Sequence, residues 1–219
     1  MIAASSSSAV QLSQHSQILN NGIRLWDKLN IFGRYFPQII VGGHKSDDCD
    51  SFDVYPCVNP HLLADGDYAK AVQQVLAFVE RERGFSIQNL RGFDFNQLEP
   101  RFDLEGKGFC LIQVSGIKLK LSAVDINNTY GYTDGFSKQF SLGLLDVLVM
   151  LLVDKTLLSD YYNKENIRGV ICAGTKIMQD DQYFSPVVTI DETGGLSIDL
   201  VSITDRLESY GVITGSVTA

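Results

Sequence analysis

Carboxylates crowd into one short stretch of this chain, where Asp47, Asp48, Asp50 and Asp53 lie close behind His44. Oxygen donors at that density suit a hard divalent cation such as Mg²⁺ or Ca²⁺, and a cation held there would serve phosphoryl or nucleotidyl transfer. The competing reading is a solvated loop, because Gly42 and Gly43 precede the cluster and Gly, Ser and Asp are the residues of turns. Turn composition alone accounts for the stretch. The four aspartates stand as metal candidates, and no cofactor is expected.

Other chemistries find less to work with. His44, Cys49, Cys57 and His61 are zinc-competent, but their spacing lacks the paired ligands that one turn presents together. Ser115 precedes Gly116 in a strand-like run, not in the strand-to-helix turn of a nucleophile elbow. The three histidines, His15, His44 and His61, all precede residue 62, and none has an identifiable nucleophile beside it. No GxxxxGK[ST] or GxGxxG phosphate loop occurs, and no catalytic residue is assigned. Asp146 and Asp154 are spaced to project toward nearly the same side of a helix. Buried, they would need partners or raised pKa values; the plainer expectation is that each marks a wet edge. Tyr130, Tyr132 and Phe136, set among glycines, are candidate interface residues.

These residues need a frame, and its centre is the stretch from Phe140 to Leu158, apolar almost all the way round a helix. A bilayer-crossing helix needs about 20 largely uncharged residues. Asp146 and Asp154 leave only Val147 to Val153 uninterrupted, so burial against protein is expected. Asp67 is placed to cap a helix running to about Arg83, with Ala69, Val72, Val75, Leu76 and Val79 on one face and Gly84 as its stop. An earlier helix is predicted from Ile18 to Phe32, ending at Gly33.

Strands are predicted at Gln38 to Val41, at Phe52 to Val58 with Pro56 suiting an edge, and along Phe109 to Ile126. The apolar phase of that long run switches at Gly116, where a bulge would permit it. Further strands are expected at Val170 to Ile177, Tyr183 to Ile190 and Leu196 to Ile203, the last two joined by a hairpin over Asp191 to Gly195. Ser202 to Tyr210 is read as closing with a helical turn. The expected class is α+β, a mainly antiparallel sheet packed by helices on one side. We expect an N-terminal arm over 1–16, one α+β domain over 17–204 with a subdivision near 127–137, and a C-terminal tail over 205–219.

The chain of 219 residues is 45% hydrophobic, enough for a core without staples, and its net charge of −8 disfavours specific nucleic-acid binding and anionic membranes. Scattered cysteines point to a reducing compartment, and the start shows neither a signal peptide nor a transit peptide.

The portion from Phe36 to Ile126 resembles, in layout, the tail-terminator and related neck-ring proteins of tailed bacteriophages. The corresponding pieces are FPQIIVGG, FDVYPCV, the aspartate-started helix ADGDYAKAVQQVLAFVE and the long strand FCLIQVSGIKLKL. The resemblance implies a non-enzymatic virion subunit that forms homo-oligomeric rings with other structural proteins; otherwise a cytoplasmic location is expected. The stretch GGHKSDDCDSFD has a looser similarity to nucleotidyltransferases, without their glycine-serine pair. The alternative function it implies is a Mg-dependent transfer enzyme using Asp47 to Asp53.

Overall fold

The computed structural model describes residues 53–56, 63–84, 86–100, 111–119, 122–125, 140–154, 156–159 and 166–217. Within them the class is α+β, with a mostly antiparallel sheet. In chain order the elements are β1 (Asp53–Pro56), α1 (Tyr68–Arg83), β2 (Gln88–Asn89), β3 (Glu99–Pro100), β4 (Leu111–Leu119), β5 (Phe140–Ser141) and α2 (Leu144–Val153). There follow β6 (Gly169–Ile171), β7 (Thr175–Gln179), β8 (Gln182–Ile190), β9 (Leu196–Ser202) and β10 (Tyr210–Val217). No helix among the described residues is long and apolar enough to cross a membrane.

The ends of α1 follow from its sequence. The Asp67 carboxylate accepts from Lys70 N at 2.9 Å, satisfying an N–H that the first turn leaves over. At the other end Gly84 takes φ 75°, the left-handed cap glycine tolerates best, and its N–H reaches Glu80 O. Ala69, Val72, Val75 and Val79 are buried and Leu76 is partly so, as the periodicity predicts.

β10 lies between β4 and β6, antiparallel to the first and parallel to the second. β6 pairs in turn with β8, β8 with β9, and β9 with β2. β1 pairs with β4 at the opposite end of the order, the place that Pro56 suits. The register of β10 on β4 slips between Ile213 and Gly215, which face Ile117 and Val114. The extra residue falls on β4 at Ser115 and Gly116, so the bulge lies where the apolar phase changes.

Four expectations are corrected. Val170 to Ile177 is not one strand: Ile171 faces Val187 and Ile177 faces Phe184, so three additional residues stand out between β6 and β7. Thr175 N closes a turn on Cys172 O at 2.9 Å, and Thr175 begins β7. Pro186 sits opposite this break. Its carbonyl accepts from Cys172 N, so its ring nitrogen, which has no hydrogen to donate, faces the interrupted edge of β8.

The long run from Phe109 leaves strand geometry by Ser122, because Ser122 and Asp125 cap each other. Ser122 Oγ accepts from Asp125 N, and Asp125 Oδ2 accepts from Ser122 N. The stretch from Ser202 to Tyr210 contains turns and no helix before β10 begins. Finally, the residues read as a C-terminal tail supply β10, paired along both edges.

The two faces of the sheet are covered differently. Val170, Cys172, Ile177, Val188, Ile198, Leu200 and Ile213 pack with α1 and α2 in the main core. Ile171, Ala173, Val187, Val201 and Val212 form a second cluster with Ala123, against which Ile203, Leu207 and Tyr210 rest. Arg206 holds Asp125 through two bonds of 2.8 Å, clamping the Ala123 turn to the β9–β10 connection. The Arg206 guanidinium, with Ser122 N and Oγ, keeps the Asp125 carboxyl well below the usual range.

Candidate functional site

The richest buried polar constellation among the described residues surrounds the N-terminus of α2. Eight of the ten residues of α2 are buried, which the unbroken apolar run of the sequence requires. Such a helix brings uncompensated N–H groups into a place where water cannot reach them all. Its cap residue is Gly143, which has no side chain to offer.

Caps therefore come from elsewhere in the chain. Thr175 Oγ1, thrust forward by the turn that splits β6 from β7, accepts from Leu144 N at 2.8 Å. Tyr68, the first residue of α1, accepts from Leu145 N at 3.3 Å, and the two hydroxyls bond each other at 2.5 Å. Asp146 Oδ2 accepts from Gly143 N at 2.9 Å, placing negative charge in the first turn, where the helix dipole favours it. A Cβ on Gly143 would stand 2.8 Å from Thr175 Oγ1 and 2.9 Å from Tyr68 Oη, so glycine leaves both hydroxyls room to reach the helix.

The electrostatics follow from enclosure. Part of the Tyr68 residue reaches the surface, but its hydroxyl end is buried, and burial reinforced by the Asp146 carboxylate pushes that hydroxyl well up from its ordinary value. The same two causes, burial first, push up the Cys172 thiol, which is fully enclosed beside Val170 O. Both groups stay protonated in the fold and act as hydrogen-bonding or packing groups, not as nucleophiles.

Two expected outcomes test this network. Thr175→Val keeps the shape and removes the acceptor of Leu144 N, and it should cost about 1–3 kcal/mol in urea unfolding, whereas Thr175→Ser should recover most of that. The second concerns alkaline pH. Unfolded Cys172 and Tyr68 ionise near their ordinary values of 9.0 and 10.0, but the folded groups hold their protons to higher pH. Above pH 9 the unfolded state therefore binds fewer protons, and stability falls as pH rises. The loss is about 1.4 kcal/mol per pH unit for each such group. Between pH 9.5 and 10.5, stability of the unmodified chain should fall by about that much more than in Cys172→Ala; parallel curves would refute the enclosure of the thiol.

The residues singled out from sequence fare differently. Asp53 is in β1, its backbone paired with Val114, and so belongs to a strand and not to a loop. Asp47, Asp48 and Asp50, with His15, His44, Cys49, Cys57 and His61, lie outside the described residues, as do Tyr130, Tyr132 and Phe136. Asp146 and Asp154 are not brought together. They mark opposite ends of α2, each partly exposed: Asp146 serves Gly143 N, and Asp154 accepts from Thr156 N and Oγ1 at 3.0 Å. Among the described residues no group of three or more His, Cys, Asp and Glu side chains is placed to hold a metal ion. The capping pair Tyr68 and Thr175 carried no local signal, because each partner is far from Leu144 and Leu145 in sequence. Compared with known proteins, the chain matches no family model, no curated protein and no solved structure.

Proposed function

We propose that this chain is a non-enzymatic structural subunit that works within an assembly, a ring-forming tail-terminator or neck protein of a phage particle being the specific form its layout favours. One observation carries the reading. Tyr68, Thr175 and Asp146, the polar side chains gathered at one place in the core, are bonded to the N–H groups at the start of α2. They position a helix. The sequence layout supports the same reading, since a strand, an aspartate-capped helix and, beyond two short strands, a long strand come in that order in β1, α1 and β4. The acidic charge suits a channel wall along which DNA must not stick.

Mass photometry and negative-stain imaging of the purified chain at micromolar concentration test the proposal. Closed particles of several copies are expected. A strict monomer at every concentration, alone and when mixed with candidate partner structural proteins, would reject the reading.

A further inference from the structure

The second face of the sheet carries two hydroxyls that no group among the described residues satisfies. Ser185 Oγ on β8 and Thr214 Oγ1 on β10 are both fully buried, and neither has a hydrogen-bond partner among the described residues. Register shows how they are related. Val212, Ile171 and Val187 form one row across β10, β6 and β8, and all three belong to the second cluster. Side chains alternate along a strand, so Thr214 and Ser185, each two residues further in the same direction, stand on that same face in the next row.

Between them in this row come small residues. Ser141 of β5 pairs directly with Thr214, and Ala173 occupies the turn where β6 breaks off. The break itself explains why the row is narrow-shouldered: the Cys172–Thr175 turn replaces a regular strand there, and Gly174 lies directly against the Ser141 backbone. The side chains along the row are small, and two buried hydroxyls stand at its ends.

From this we infer that the row formed by Thr214, Ser141, Ala173 and Ser185 is an internal hydration site, in which ordered water bonds Thr214 Oγ1 and Ser185 Oγ as an integral part of the fold. A buried hydroxyl without a partner costs about 1–3 kcal/mol, and a water needs a polar, roomy site with two or more partners. The two hydroxyls are the polar groups that such water would meet. The bulge on β4 adds to the case. Thr214 is the residue of β10 that faces Ser115 and Gly116, where the ladder is locally irregular and regular pairing is interrupted.

Ser185→Ala and Thr214→Val test the site, read by urea unfolding and by magnetic relaxation dispersion of solvent water, which detects long-lived internal molecules. Each variant should raise the unfolding equilibrium constant about tenfold and lower the dispersion amplitude. Thr214→Ser, which keeps the hydroxyl and is expected to fold, should retain the full amplitude. Two results overturn the inference: variants as stable as the unmodified chain or more so, or an amplitude unchanged in the folded Ser185→Ala, Thr214→Val double variant. Should the double variant fail to fold, loss of amplitude in Thr214→Ser would overturn it equally.

Discussion

Gly174→Ala should cost about 3 kcal/mol or more, the upper end of what overpacking does. A Cβ there would stand 2.5 Å from Ser141 O, 2.7 Å from Gly143 N and 2.9 Å from Leu142 C. All three are backbone atoms, so no rotamer change makes room. The chain would have to move apart where Gly174 N now bonds Leu142 O at 3.0 Å, and the next residue, Thr175, would be drawn off Leu144 N. Gly194→Ala is the comparison. It has φ 85° but open space around the added carbon, so its cost should stay near 1 kcal/mol, the conformational penalty alone. Urea midpoints for the two variants decide the matter: equal losses would mean that close packing at Gly174 does not govern its identity. Because α2 loses its cap in the first variant only, hydrogen exchange at Leu144 and Leu145 should accelerate there and not in Gly194→Ala.

Leu148→Ala should cost about 2–5 kcal/mol. Leu148 is fully enclosed at the middle of α2, with Val72, Val75 and Val79 of α1 and the strand residues Val188 and Ile213 in the same core. Removing three carbons there leaves a cavity that flanking helices and sheet cannot close together. Leu152, on the same helix but partly exposed, provides the contrast, and its alanine variant should lose under half as much. Thermal or urea unfolding reads both. A Leu148 variant no worse than the Leu152 variant would show that α2 is not enclosed, and the architecture built around it would fall with it.

The legible parts of this fold are those whose causes are local. Asp67 and Gly84 bound α1 because a carboxylate satisfies a first-turn N–H and glycine accepts positive φ, and both signals sit within the helix's own sequence. The β8–β9 hairpin is similar, since Asp191 gathers Thr193 N and Gly195 N at 2.8 Å within five residues. The bulge at Gly116 showed itself as a change of apolar phase. The helix near residue 140 was legible as buried, but its start was not. Phe140 and Ser141 are drawn into β5 by pairing with β10, a segment far from them in sequence. Asp146, three residues past Gly143, was the available sign of a first turn.

What escaped was non-local. β10 reads as a light tail because Gly211, Thr214, Gly215 and Ser216 carry little apolar weight, yet β4 and β6 enclose it, and burial by partners does not require bulky side chains. The caps of α2 are another case. Thr175 looks like one residue in a β-rich run, and only the turn that splits the run makes it a helix cap. Pro186 was the clue to that split, since a proline inside a strand asks for an edge or a break opposite its nitrogen. Asp125 also belonged to a local pair with Ser122 that a search for capping spacing finds. Of the metal and interface candidates, Asp53 alone falls within the described part, where it lies in β1.

The position of β10 bears on how the molecule is made. β10 follows both β4 and β6 in the chain, so until residues 210–217 are made, the rims of β4 and β6 that they cover lack this partner. Nascent chains must keep those rims from finding one another, and β10 then joins the two parts of the sheet. Joining the sheet thus depends on a pairing between segments far apart in sequence, β4 with β10, the kind of contact that forms slowly.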